Sequence, residues 1–192
     1  MNIDENAMPG PVIETERLIL RPPEAADLDG WAELMGDEQA ARFIGGVQPR
    51  AGAWRGLAAM AGSWALHGFG MFSVVEKASG RWIGRLGPWR PEGWPGTEIG
   101  WGLVRDAWGK GYATEGGIAA MDWAVAALGW NDLIHCIAPE NEASARVAAR
   151  LGSALRGRGR LPAPFDQVEI DIWGQSADQW RRRGLGSGAG LR

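Results

Sequence analysis

The stretch "DAWGKGYATEGGIAAMDWA", residues 106–124, begins as a loop and ends as an amphipathic run, and four of its residues are glycine. From about 112 to 128, Ala113, Gly117, Ala120, Met121, Ala124 and Leu128 recur along one helical face. Just ahead of that helix, Gly109 and Gly111 let the backbone come close to a ligand where a Cβ would block it. Successive N–H groups there point outward at the positive end of the helix dipole, which is an anion site in chemical terms. A plain tight turn is the alternative reading of the same glycines. The segment is not a triphosphatase phosphate loop, because Lys110 is followed by glycine and no earlier glycine has the required spacing. It also lacks the first-strand G-x-G-x-x-G of a dinucleotide fold.

Outward from this segment the chain alternates element types. Upstream, "TEIGWGLV" (97–104) reads as a strand leading into the loop, and "RPEGWPG" (90–96) as a Pro/Gly loop. "FGMFSVVEKASGRWIGRLGPW" (69–89) reads as a hairpin turning at Ala78-Ser79-Gly80. Further back lie a helical segment over about 51–66, a helix in "EAADLDGWAELMGD" (24–37) with Leu28, Trp31, Leu34 and Met35 on one face, and a first strand, "RLILR" (17–21). Downstream, "DLIHCIA" (132–138) is apolar enough for a buried strand, "EASARVAARLG" (142–152) is a helix ended by a glycine C-cap, and two closing strands fall near 155–160 and 167–174. The order is strand, two helices, three strands, helix, strand, helix, two strands. That order predicts a mixed α/β (α+β) domain around one sheet, spanning 15–181, with flexible ends at 1–14 and 182–192.

Composition narrows the function classes. The apolar fraction of 45% excludes a disordered chain, and 192 residues suit one domain. A net charge of −3 argues against a nucleic-acid partner over a wide face. No apolar run approaches a bilayer span and the N-terminus lacks a signal pattern, so the expectation is a cytoplasmic protein that does not engage a membrane. The lone Cys136 cannot form an internal disulfide. His67 and His135 stand far apart without ligand spacing, so no metal site is expected. His135, between Ile134 and Cys136, reads as a strand residue facing a neighbour.

"WGKGYATE", preceded by "EIGWGL" and followed by "PENEASARVAARLG", resembles the GNAT superfamily of acetyl-CoA-dependent N-acetyltransferases. Within it the chain is most similar to the branch containing the ribosomal-protein N-terminal (RimJ/RimL-type) acetyltransferases. The likeness runs from "TERLILRP" (15–22) to "VEIDIWGQSADQW" (168–180). The resemblance implies a mostly antiparallel sheet of about seven strands, splayed between the fourth and fifth and flanked by about four helices. The family's pyrophosphate loop, Gln/Arg-x-x-Gly-x-Gly/Ala, falls on Trp108, Gly109, Lys110, Gly111, Tyr112 and Ala113, with Thr114 following. Tryptophan in the first position removes one side-chain contact and leaves the backbone donors in place.

The resemblance also implies the cofactor's other contacts and the catalytic roles. The pantetheine arm would pair with backbone at Trp101, Gly102, Leu103 and Val104, which would also polarise the thioester carbonyl. Asn141 matches the asparagine that bonds the arm, and it also reads as a helix N-cap. Glu98 is the candidate that deprotonates the amine, directly or through a water; the alternative is a solvated strand carboxylate. Many relatives use a tyrosine to protonate the thiolate, but the only tyrosine here, Tyr112, sits in the loop. Ser144, in the Asn-x-x-Ser segment, takes that role in the resembling branch, against a reading as first-turn helix polarity.

The resemblance implies an amine acceptor, a small molecule or a protein N-terminus. Trp31, Trp54, Trp64, Trp89, Trp94 and Phe165 fall in the segments from which family acceptor pockets are built, with Trp31, Trp89, Trp94 and Phe165 the substrate-binding candidates. Family members are often dimers, which implies a homodimer. Two rivals stay open at this stage: a non-catalytic acyl-CoA-binding module, and an enzyme using a different acyl donor.

Overall fold

The computed structural model describes residues 10–184 and 190–191. Residues 1–9, 185–189 and 192 of the ends expected to be flexible lie outside the described residues. The strands are β1 (Ile13–Glu14), β2 (Leu18–Arg21), β3 (Phe72–Glu76), β4 (Trp82–Trp89), β5 (Glu98–Leu103), β6 (Asp132–Ile137), β7 (Ala154–Arg160), β8 (Glu169–Ser176) and β9 (Gly190–Leu191). The helices are α1 (Leu28–Gly36), α2 (Glu38–Ala41), α3 (Arg50–His67), α4 (Tyr112–Ala127), α5 (Glu142–Leu151) and α6 (Ala177–Arg182). They surround one sheet of order β7-β8-β6-β5-β4-β3-β2-β1-β9. The seven strands from β2 to β8 are those read from the sequence. The fourth and fifth strands of the family are therefore β5 and β6 here, because the two-residue β1 precedes them.

Every strand pair is antiparallel except β5 with β6. That parallel pair is joined in register only at Glu98↔Ile134, with Ile134 N–H bonded to Thr97 O at 3.0 Å. Beyond this point the two strands separate, as the resemblance implied. Pro88 has no N–H, so Pro88↔Ile99 cannot be a doubly bonded pair of the β4/β5 ladder. Ile99, Trp101 and Leu103 consequently turn their backbone groups away from β4 and toward the split. The Val104 N–H, of opposite parity, bonds to Ile83 O at 3.0 Å, which agrees with this assignment.

Successive residues of β4 point to opposite faces. Leu86 faces α4, where a Cβ at Gly116 would lie 3.1 Å from Leu86 Cδ1, and Arg85 faces α1, its guanidinium 5.5 Å from the Trp31 ring. Gly117 repeats the close approach toward α5, 3.0 Å from Leu151 Cδ1. The four glycines of the opening stretch thus serve two ends. Gly109 and Gly111 adopt positive φ (73° and 84°), whereas Gly116 and Gly117 bring α4 close to its neighbours. The core centres on Trp64, Phe72 and Trp123, whose rings stand 5.0 to 5.7 Å apart. Burying a side chain such as Phe72 or Leu86 stabilises the fold by about 1.5–3 kcal/mol.

Candidate active site

The loop after β5 is a single 3-10 turn, Arg105–Ala107, followed by Trp108 to Gly111 and then α4. Gly111 is the N-cap of α4 in the left-handed region, without a side-chain cap. The first-turn amides of Tyr112 and Ala113 have no intrahelical acceptor, whereas Thr114 and Glu115 donate to Gly111 O at 3.1 and 3.0 Å. A Cβ at Gly109 would meet nothing within 4 Å, so this loop face is open. Arg17 braces the loop: it donates to Lys110 O at 2.9 Å, pairs with Glu115 and lies over the Tyr112 ring. Trp108, 46% exposed, donates its indole N–H to Leu103 O at 2.8 Å. The Tyr112 hydroxyl is committed to Glu76 Oε1 at 2.5 Å, so Tyr112 offers the loop its backbone rather than an acid.

Of the four residues expected along the pantetheine arm, Trp101 to Val104, the structure turns the backbone of two, Trp101 and Leu103, toward the split. Gly102 lies in the β4 ladder opposite Arg85, and the Val104 N–H is spent on Ile83. The Leu103 carbonyl is taken by Trp108, which leaves the Trp101 backbone groups and the Leu103 N–H facing β6. The narrow end of the split is closed by side chains. His135 donates Nδ1–H to Ile99 O at 2.7 Å, and Glu98 Oε1 accepts from Cys136 N–H at 3.1 Å. A carbonyl can only accept, so the His135 proton sits on Nδ1 and Nε2 accepts from Ser153, 2.9 Å away. Burial pulls His135 down to about 4, and it is neutral at physiological pH.

Glu98 is buried, with 6% of its surface exposed. Desolvation pushes its carboxyl up to about 7, against the Cys136 N–H, the Trp94 indole N–H and the Arg85 charge, which favour ionisation. The alternative of a solvated strand carboxylate does not describe this group. Burial, reinforced by the Glu98 charge, drives the Cys136 thiol well above its ordinary range, so it is not a thiolate nucleophile. Among the described residues no three His, Cys, Asp or Glu side chains gather as a metal site, and no helix is long and apolar enough to cross a membrane.

On the far side of the split, Asn141 caps α5 by accepting from Ser144 N–H at 3.1 Å. Ser144 Oγ in turn accepts the Trp101 indole N–H at 3.2 Å, and the Trp101 ring lies 4.9 Å from that of His135. Trp101 and Ser144 are therefore joined, whereas Glu98, of opposite parity on β5, presents its side chain to the other face of the sheet.

The aromatic candidates divide. Trp89 and Trp94 meet edge to face at 6.4 Å above Glu98, and Trp31 is buried against Trp82 and Arg85. Phe165, 42% exposed, lies across from Gly45, where a Cβ would stand 3.8 Å from its ring. Trp64 is a core residue, its indole spent on Met71 O, and Trp54 is 57% exposed. The sequence reading missed Arg85. An arginine at an inward strand position in "WIGRLG" was the available signal.

A sequence profile of the Acetyltransferase (GNAT) domain matches residues 17–154. "Uncharacterized N-acetyltransferase p20" of Bacillus licheniformis is 29% identical over 147 residues, 74% of this chain and 82% of that protein. "Uncharacterized protein YkkB" of Bacillus subtilis (strain 168) is 32% identical over 88 residues, 45% of this chain, and the match spans about half (51%) of that relative's length. Among solved structures, an acetyltransferase from Agrobacterium tumefaciens str. C58 is 28% identical with a TM-score of 0.75, covering 91% of this chain and 99% of that one. Mycobacterium smegmatis RimJ in complex with CoA-disulfide shares the fold at 19% identity and a TM-score of 0.67, with 94% of each chain covered. The splayed β5/β6 pair, the glycine loop at the start of α4 and a profile match over more than half of the sequence agree, and the chain belongs to the GNAT acetyltransferase family.

Proposed function

We propose that this protein is an acetyl-CoA-dependent N-acetyltransferase in which an amine attacks the thioester directly, without an acyl-enzyme. The observation that carries this reading is a buried carboxylate with its pKa raised to about 7, at the closed end of a strand split whose open side leads to the anion loop. The residues suit the cofactor. Positive-φ glycines and first-turn amides are a cradle for pyrophosphate that a Cβ would obstruct, and unpaired backbone groups of β5 suit an amide-bearing arm. The CoA compound bound by the Mycobacterium relative supports the same assignment.

Acetyl-CoA would supply the acetyl thioester. Glu98, ionised above about pH 7, accepts a proton from the amine, directly or through a water. The Trp101 N–H faces the split as a donor for the thioester carbonyl oxygen. Ser144 receives the Trp101 indole N–H on its oxygen, which leaves its own proton for the departing thiolate. Asn141 fixes Ser144 through the helix cap.

Calorimetric titration with acetyl-CoA, CoA and succinyl-CoA, followed by thiol-release assays on an amine panel, tests the reading. Binding of acetyl-CoA with amine-dependent thiol release is expected. Binding without release for any amine would favour the non-catalytic module.

A further inference from the structure

Arg85 is a cation that the chemistry above does not use. Part of the residue reaches solvent, yet its Nε is enclosed and has no acceptor. Its Nη1 faces only Met71 Sδ, at 2.7 Å, and a thioether is a weak acceptor. Among the described residues Arg85 makes no ion pair, although the Glu98 carboxylate lies close enough to favour its charge. A purely structural counter-ion would close on that carboxylate, as Arg21 does on the buried Asp27 at 2.6 Å. Beside it the Trp31 indole N–H is also buried and without an acceptor, and the guanidinium lies 5.5 Å from that ring. Two buried donors left unpaired in one place are uncommon, because each forfeits its solvation without a replacement bond.

Glu98 and Arg85 are on the same face of the β4/β5 ladder, since Arg85 is opposite Gly102 and a Cβ at Gly102 would approach Arg85 at 3.9 Å. The β5 positions on that face beyond Glu98 are Gly100 and Gly102, and the space over them is held by the side-chain ends Met71 Cε and Ile44 Cδ1, which an occupant between the two charges would displace. One end of this face presents an anion and the other a cation. That arrangement complements a zwitterion rather than a simple amine.

We propose that Arg85, with the Trp31 indole N–H beside it, receives the carboxylate of the acceptor, so that the amine delivered to Glu98 belongs to a small amino acid. This rests on the acetyltransferase reading above. It makes Arg85 a specificity residue that touches the acceptor and not the cofactor.

The test pairs α-, β- and γ-amino acids with their carboxamides in a thiol-release assay, using wild type, Arg85→Gln and Arg85→Lys, with acetyl-CoA binding followed by calorimetry. For the preferred acceptor, wild-type kcat/KM should exceed that of the amide by about tenfold or more, the scale of one charge-assisted contact. Arg85→Gln should erase the ratio mainly through KM, Arg85→Lys should keep part of it, and neither should change acetyl-CoA affinity. A wild-type ratio near one, a preference for peptide N-termini over amino acids, or an equal loss with both acceptors in Arg85→Gln would overturn the proposal. Because the wild-type ratio needs no variant, misfolding of Arg85→Gln would not protect it. If acetyl-CoA binds and only neutral amines react, this proposal fails and the acetyltransferase reading stands. If acetyl-CoA does not bind, that reading fails as well.

Discussion

Trp101 on β5 donates its indole N–H to Ser144 Oγ on α5 across 3.2 Å, linking the two elements that border the strand split. Asn141 holds the same serine from the other side through its backbone N–H. The serine is thus fixed by two partners, and neither of them consumes its proton.

Trp101→Phe should lower turnover about three- to tenfold, the order of one neutral hydrogen bond, and Ser144→Ala should lower it further. Acetyl-CoA affinity should change less than turnover in both. The double variant should be no slower than Ser144→Ala alone, since the indole acts through the serine. Additive losses in single-turnover assays would mean that the two residues act independently.

The Glu98 carboxyl, pushed up to about 7 by burial, should make kcat/KM rise with pH and level off above that value. Glu98→Gln should remove this rise and reduce turnover about 10²–10⁴-fold, with acetyl-CoA binding nearly intact. Stability should move the other way. A carboxyl whose folded pKa lies above its unfolded value of 4.5 favours the fold below about pH 4.5, and that contribution is lost as pH rises through 7. In urea titrations Glu98→Gln should therefore gain on wild type between pH 5 and pH 8, by roughly 2–3 kcal/mol.

His135 acts in the opposite sense. Its folded pKa of about 4 lies below its ordinary 6.5, so the stability it contributes is present above 6.5 and is lost as pH falls through 4. His135→Gln should flatten the acid side of the stability profile. It should also cost about 1–3 kcal/mol at pH 7 from the imperfect replacement of the bonds to Ile99 O and Ser153. An unchanged acid limb would place the titrating group elsewhere.

Gly109→Ala separates strain from obstruction. A Cβ at Gly109 meets no atom within 4 Å, so the folded protein bears only the cost of φ at 73°, about 1–2 kcal/mol. The same methyl stands on the open face of the loop, and acetyl-CoA affinity should fall by about tenfold or more if pyrophosphate approaches there. Equal affinity with the expected loss in thermal stability would make the loop a turn and nothing else.

The sequence carried the sheet and its principal helices because each has a period or a boundary residue that survives in one dimension. The hairpin turn at Gly80, the C-caps Gly68 and Gly152, and the glycines before α4 are examples. The short α2 and α6, under two turns long, carry no helical period, although the Asp37 cap and the Ser176/Gln179 capping box mark their starts. Glu98 was legible as a strand carboxylate, but its raised pKa depends on burial beneath Trp94 and beside Cys136, which lie on other elements. Arg85 was missed for the same reason. Strand spacing does not say that its face is shared with Glu98 and Trp31, which only the β4/β5 register and the packing of α1 bring together.

Calorimetric titration of the purified protein with acetyl-CoA, run beside Gly109→Ala, decides whether the glycine loop holds the cofactor. One saturable site per chain on the wild type and a marked loss of affinity in the variant are expected. Absence of binding to the wild type, or equal binding by both proteins, would contradict the assignment of the Gly109–Gly111 loop and the enzyme reading built on it.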